Sequence, residues 1–357
     1  MKFLAQKAYG TRTLVAASLV CVALLGCGGG GDGDSSSIWD NVLPLAITDA
    51  NMNDVAGSVI MADTAGAFLP VGGEVLVAGA ETSSLPSATH KLVELAVAKA
   101  KAAKSMLASL DVVSGVEGTY TLPCSAGGTV TLKYDVTSLD YLSMGDILSF
   151  TFSNCSEYVD GILETLDGGM KLTVNSISGV PPTPPSSLGE SVVLTNLRLT
   201  TLGYVLTSNG SMQINETYNI DDTTTFSYLS DELTYRILIG SDTYDTRLRN
   251  WSSTGLYYLS GVDEVTEWQT SHNMAAIFPT FTGSFDVSTL VKVVEYDGET
   301  GITSGMLQVT GDQSVLTITF QPGNLVFLEL DSDNDGDIDV SRTVPIDDLN
   351  PLIGITL

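Results

Sequence analysis

From about residue 129 to residue 330 the chain alternates apolar and polar positions with a period of two. Val130, Leu132, Tyr134 and Val136 alternate with Thr129, Thr131, Lys133 and Asp135. Leu148, Phe150 and Phe152 alternate with Ser149, Thr151 and Ser153, and Met170, Leu172 and Val174 alternate with Lys171, Thr173 and Asn175. A period of two puts successive side chains on opposite faces of a strand, so each segment predicts a strand with one buried face. Further strands are expected at Tyr204–Leu206, Met212–Ile214, Thr224–Tyr228, Thr234–Ile239, Tyr244–Trp251, Phe281–Val287, Val291–Tyr296, Met306–Thr310, Val315–Phe320 and Leu325–Leu330.

Before this region the period differs. Leu92, Leu95, Ala96, Ala103, Met106, Leu107 and Leu110 recur at helical spacing, with Ser84 as a cap and Pro86 in the first turn. This predicts a helix over about 84–110, lying on one face of the sheet through its small alanines. Short strands are expected at Ser58–Met61 and Glu74–Ala78.

Close spacing of strands without intervening helices predicts an antiparallel meander. More than a dozen strands in one sheet should curl, close or split into two layers. The fold class expected is mainly β: a large antiparallel meander, as a curved sheet, half-barrel or two-layer arrangement, with one N-terminal covering helix. Asn209-Gly210 reads as a two-residue hairpin turn. The Gly179–Ser187 segment (GVPPTPPSS) reads as a stiff extended stretch, either a sub-boundary between two β domains or a long surface loop within one.

Composition narrows the function classes. The net charge is −27, with 42 acidic against 15 basic residues, which excludes attraction to nucleic-acid backbones and anionic surfaces. Charged residues make up only 16% and hydrophobic ones 43%, a globular rather than a disordered composition.

The first residues specify an address. Lys2, Lys7 and Arg12 precede an apolar run from Leu14 to Leu25. A charged stretch followed by a short apolar one is a secretory signal, and the run is too short to span a membrane as a helix. Its end, Leu24-Leu25-Gly26-Cys27, resembles the lipobox of bacterial lipoproteins. That resemblance implies a signal peptide over 1–26, cleavage before Cys27, and acylation of Cys27 (palmitate included) as the membrane anchor. Gly28, rather than the Asp of the inner-membrane retention signal, implies sorting to the outer membrane, on its periplasmic or cell-surface side. Residues 28–37 (GGGGDGDSSS) have no apolar side chain and form a flexible tether spanning about 15–20 Å. The β-rich extracytoplasmic body is expected over 38–357.

With Cys21 in the signal and Cys27 acylated, Cys124 and Cys155 remain, in a compartment where disulfides persist. If the first hairpin pairs 130 with 149, turning near Leu139–Leu142, Cys124 falls opposite Cys155 and the bridge staples its open end.

One motif carries chemistry. Asp331-Ser332-Asp333-Asn334-Asp335-Gly336-Asp337-Ile338-Asp339 is a DxDxDGxxD loop. Calcium takes six to eight oxygen ligands, which alternating carboxylates in a tight loop supply. Asp331, Asp333 and Asp335 are assigned side-chain oxygens, Asp337 a backbone carbonyl, and Asp339 a direct or water-mediated contact. The loop resembles EF-hand and related calcium loops over nine residues. It departs at the twelfth position, where Arg342 replaces the bidentate Glu, and its strand-like flanks are closer to the calcium hairpin of integrin-type repeats. Asp347 or Asp348 is left as a candidate to complete the shell. The expected cofactor is therefore a structural Ca²⁺.

Catalytic signatures are missing: there is no GxSxG, HExxH or phosphate-binding glycine loop. His90 and His272 are read as surface residues. Trp39, Trp251 and Trp268 are read as core, with a sugar-binding face as the alternative, and Arg247 and Arg249, on one strand face, as partners of local acids, with binding of a carboxylate as the alternative. The expectation is not an enzyme but an outer-membrane-anchored lipoprotein, acting as a binding or envelope-structural protein. Its partners are the membrane through the lipid, no nucleic acid, and a protein, glycan or lipid not named by the sequence. Two alternatives stay open: a lipid or lipoprotein carrier with an apolar half-barrel face, and a surface carbohydrate-binding or hydrolytic module.

Overall fold

A computed structural model describes residues 38–67, 116–137, 143–159, 161–181, 183–260, 263–296 and 301–349. One α-helix, α1 (Met52–Ala67), precedes fourteen strands: β1 (Val116–Pro123), β2 (Gly127–Val136), β3 (Ile147–Val159), β4 (Ile162–Val180), β5 (Thr183–Thr201), β6 (Tyr204–Tyr218), β7 (Thr224–Ile239), β8 (Asp242–Ser260), β9 (Asp263–Ile277), β10 (Thr282–Tyr296), β11 (Gly301–Thr310), β12 (Val315–Gln321), β13 (Leu325–Asp331) and β14 (Val340–Pro345). All fourteen form one sheet in sequence order, each antiparallel to its neighbours, with β1 and β14 at its two ends. The expected mainly β meander is thus observed. The Gly179–Ser187 segment is no boundary: β4 and β5 pair directly up to Val180↔Thr183.

The period-two pattern works as expected. Leu316, Ile318 and Phe320 of β12 and Val326, Leu328 and Leu330 of β13 are buried on one face, joining a single core that runs from Ile47 to Leu349. Trp39, Trp251 and Trp268 are all buried, as read.

Helix α1 corrects one expectation. Ser58–Met61 is helical rather than a strand. Met52, Val55, Ala56, Val59 and Ile60 are fully or almost fully buried and belong to the same core as the sheet. The segment is apolar on most sides, so no clear stripe marks its period, and its Val and Ile residues favour strands in isolation. Burial overrides that preference. Asn51, just before the helix, accepts the Thr48 N–H (2.8 Å) and donates to the Ala46 carbonyl (3.2 Å), which fixes the entry turn. The helix expected over 84–110 and the strand at Glu74–Ala78 lie outside the described residues, as does His90.

A seam of bulges crosses the sheet. Asn154 of β3, Asn196 of β5 and Asn250 of β8 adopt positive φ (47°, 45° and 51°). Register shifts occur beside them: between Phe152 and Cys155, between Leu194 and Leu197, and between Arg249 and Ser252. At each bulge one extra residue turns the buried set from even to odd positions: Phe150 and Phe152 give way to Cys155, and Thr246 and Leu248 to Trp251 and Ser253. Bulges of this kind bend a strand and increase its twist.

The seam explains a second correction. Asn209-Gly210 is not a hairpin turn; both residues lie inside β6. Gly210 has φ +130°, and a Cβ there would collide with the Glu232 carbonyl of β7. Asn209 Oδ1 accepts the backbone N–H of the bulged Asn196 at 2.6 Å. Asp167-Gly168 does the same one bulge earlier, Asp167 Oδ1 accepting the Asn154 N–H at 3.2 Å. A type I′ turn and a bulge both require positive φ and a short polar side chain, so the same dipeptide serves either.

Cys124 and Cys155 are disulfide-bonded, their Cα atoms 5.3 Å apart. The register that joins them differs from the one expected. Val130 pairs with Phe152, three residues from 149, and Cys124 sits in the β1–β2 turn, its N–H bonded to the Gly128 carbonyl. The β1–β2 turn, which folds Cys124 back beside Gly128, brings it to Cys155. Residues 138–142, where the hairpin turn was expected, lie outside the described residues. Closing a 31-residue separation stabilises by about 3–4 kcal/mol through the unfolded chain.

Candidate metal site

The acidic loop connects β13 to β14 at the end of the sheet. Asp331 is the last residue of β13 and is buried, while the loop beyond it is exposed. Its Oδ1 accepts the Asp335 N–H at 3.2 Å and its Oδ2 the Gly336 N–H at 2.9 Å. These bonds wrap the loop around the carboxylate. Asn334 and Gly336, at φ 57° and 97°, supply the two left-handed residues the wrapping needs. Asp335 Oδ1 in turn accepts the Asp337 N–H at 2.9 Å.

Carboxylate oxygens of Asp331, Asp333 and Asp335 lie within 4.8 Å of one another, a cluster able to hold a metal ion. The carboxylate of Asp339 is not part of this cluster, and the part assigned to Asp337 is its backbone carbonyl rather than its side chain. Asp339 Oδ2 accepts the Ser332 N–H (2.8 Å) and hydroxyl (2.6 Å), closing the base of the loop. Those bonds hold the Asp339 carboxyl below its ordinary range. Asp333 moves the other way: the negative charge of Asp335, then partial desolvation, then Asp339 and Asp331 push it up. Like charges gathered in a loop destabilise one another, and a bound cation removes that cost.

Both flanks are strands, as the integrin-type comparison implies and an EF-hand would not allow. Asp347 and Asp348 lie in a short 3-10 turn, Ile346–Asp348, and do not join the cluster among the described residues. Arg342, at the position of the missing Glu, has another use. It ion-pairs with Asp49 and donates to the Asp49 carbonyl at 3.0 Å, with Met52 Sδ at 2.9 Å. The β14 strand is thereby tied to the segment that starts α1.

No family model, curated protein or solved structure matches this chain.

One polar group was missed by the sequence reading. His272 lies inside β9, almost fully buried, not in a surface loop. Its Nδ1 is 3.4 Å from Asp63 Oδ1 of α1 and 3.5 Å from Thr270 Oγ1. Burial pushes Asp63 up to about 8, partly offset by its hydrogen bond to Thr270, and pushes His272 down to about 3. Both are therefore neutral near pH 7. The run Gln269 to Asn273 is polar throughout and carries no apolar alternation, so nothing in it signals burial.

Proposed function

We propose that this protein is a lipid-anchored component of the bacterial cell envelope, a binding or structural protein rather than an enzyme, with a structural Ca²⁺ clamping its last hairpin. The observation that carries the clamp is the convergence of Asp331, Asp333 and Asp335 around a loop already wrapped by backbone hydrogen bonds. Calcium suits this site better than zinc or magnesium. The donors are all oxygens, which disfavours zinc, and the loop is open enough for the irregular, high-number coordination that magnesium avoids. The Asp337 carbonyl, Asp339 and water are the candidates for the remaining ligands. The anchor is supported by the lipobox residues Leu24 to Cys27 and by the apolar-free tether between Cys27 and the first described residue, Ile38.

The test uses the chain carrying Cys27→Ser, exported to a periplasm and purified. Native mass spectrometry should find one calcium, removed by chelator. Saturation at 100 times Kd should stabilise the fold by about 2.7 kcal/mol, read as a rise in Tm. The double variant Asp333→Asn, Asp335→Asn should lose that rise while keeping its β-sheet circular dichroism. Absence of bound metal in millimolar Ca²⁺ would retire the clamp, and a co-purified lipid mass would put the carrier reading first. Radiolabelled palmitate incorporated into the natural chain but not into Cys27→Ser would establish the anchor.

A further inference from the structure

The expectation that Arg247 and Arg249 pair with local acids holds, but the pairing is incomplete. Both arginines alternate with the fully buried Leu248 along β8, so they lie on the face of the sheet turned away from the core. They share a single carboxylate. Arg247 Nη2 donates to Glu232 Oε2 at 2.6 Å, and Arg249 Nε donates to the same oxygen at 3.3 Å. The two guanidiniums hold the Glu232 carboxyl below its ordinary range against the opposing effect of burial.

Two positive charges thus meet one negative charge, in a chain where basic residues are scarce. Donor capacity is left over. Arg247 is about nine-tenths buried, and its Nε has no partner among the described residues. A buried guanidinium N–H without an acceptor costs free energy, and the pairing with Glu232 is what holds Arg247 in place against that cost. Arg249 is half exposed and commits only its Nε, which leaves both Nη groups open.

Both arginines line a hollow of about 420 Å³, within the range of small-molecule sites; the Arg247 Nε is shut off from it, and the half-exposed Arg249 is the accessible donor. Space for it is left by Ala275 and Ser284, which are small and lie opposite Arg247 across β9 and β10. Trp39, Val42 and Pro44 form an apolar wall, held in place where Pro44 bridges to Ser284 and Leu45 N–H bonds to the Ser284 carbonyl at 2.9 Å. On the opposite rim Asn250 donates to Asn273 (2.8 Å) and Asn273 to Asp286 (2.5 Å), a fixed polar chain.

The geometry points to a binding site for a small organic monocarboxylate, held by the open Nη groups of Arg249, which Glu232 and Arg247 position, with its carbon skeleton against the Trp39 wall. Guanidinium forks match carboxylates in a planar, two-point contact. With Asp286 on the rim counted beside Glu232, the two guanidiniums are already matched in charge, so a monoanion adds the smallest uncompensated charge that an arginine-bound anion can. A phosphate dianion would leave an excess negative charge beside Glu232 and Asp286. The site is separate from the acidic loop and does not depend on calcium or on the lipid anchor.

The test is isothermal titration of the full mature chain carrying Cys27→Ser with three probes: glucuronate, the peptide N-acetyl-Ala-Ala with a free C-terminus, and inorganic phosphate, with glucose as the neutral control. Glucuronate or the peptide should bind at millimolar concentration or tighter, and whichever binds more tightly identifies an acidic sugar or a chain terminus as the source. Arg249→Gln should weaken binding at least tenfold. Arg247→Lys, which keeps the charge but loses the guanidinium that fixes Glu232 beside Arg249, should do the same. Each variant should retain the parent's circular dichroism. Failure of both carboxylates to bind, glucose or phosphate binding as tightly as they do, or affinity unchanged in folded Arg249→Gln and Arg247→Lys would each overturn the assignment.

Discussion

At the scale of single residues, the Asp63–His272 contact makes stability depend on pH in a defined way. Asp63 keeps its proton in the folded state up to about pH 8 and loses it near 3.8 when unfolded. The folded state therefore holds the extra proton, and stability falls as pH rises from about 4 through 8. His272 stays neutral down to about pH 3 when folded but takes a proton below 6.5 when unfolded. Its contribution is present above 6.5 and is lost as pH falls toward 3. Between 4 and 6.5 the two slopes oppose; from 6.5 to 8 only the Asp63 slope remains, at up to about 1.4 kcal/mol per pH unit. Urea unfolding at pH 6.5 and 8 should show the natural chain losing stability over this interval relative to Asp63→Asn, which carries no titrating proton. Parallel pH dependence in the two proteins would mean that Asp63 is ionised in the folded state.

At the scale of elements, the bulge seam decides where strands bend and which residues they bury. A short polar side chain followed by glycine is used twice to brace a bulge in the neighbouring strand, at Asp167-Gly168 and Asn209-Gly210. Gly210→Ala places a Cβ against the Glu232 carbonyl at a positive φ and should cost about 2–3 kcal/mol, since neither backbone can give way cheaply. Asn209→Ala removes only the acceptor for the Asn196 N–H and should cost about 1 kcal/mol. Equal effects in denaturant titrations would mean that the glycine's backbone freedom is not what the seam requires. The seam also shows why element boundaries were misread. The expected strands Thr224–Tyr228 and Thr234–Ile239 are one strand, β7, and Phe281–Val287 and Val291–Tyr296 fall almost wholly within β10. Alternation breaks at a bulge just as it does at a turn. In β7 the buried positions pass from Phe226 and Tyr228 to Leu233 and Tyr235, and period-two reading cannot tell the two cases apart.

At the scale of the molecule, the meander makes communication local. Each strand pairs only with its neighbours in sequence, so the acidic loop acts on β13 and β14 and on what they touch. Among the described residues, the ties that carry an effect further include the Arg342 contacts to Asp49 and Met52, the Ile47 N–H donated to Ser314 Oγ at 2.8 Å and the Asp312 N–H donated to the Leu45 carbonyl at 2.7 Å. Chelation should therefore speed amide hydrogen exchange over residues 325–349 and, through Arg342, around 47–55. Exchange in β4 to β8, doubly paired and remote from the loop, should not change. Acceleration spread evenly over the sheet would show that the metal supports global rather than local stability.

The sequence by itself determined the class of fold, the strand-rich meander, the cysteine pair and the aspartates that gather in the last loop. These rest on local rules: a period of two, two cysteines left to pair, and alternating acids around a glycine that permits a tight turn. Tertiary structure alone decided that Met52–Ala67 is a helix, that Asn209-Gly210 braces a bulge, that His272 is buried against Asp63, and that Arg247 keeps an unpaired N–H beside a hollow. Each of these depends on a partner far away in the chain. Burial, register and charge balance are properties of the pair, and a single position does not carry them.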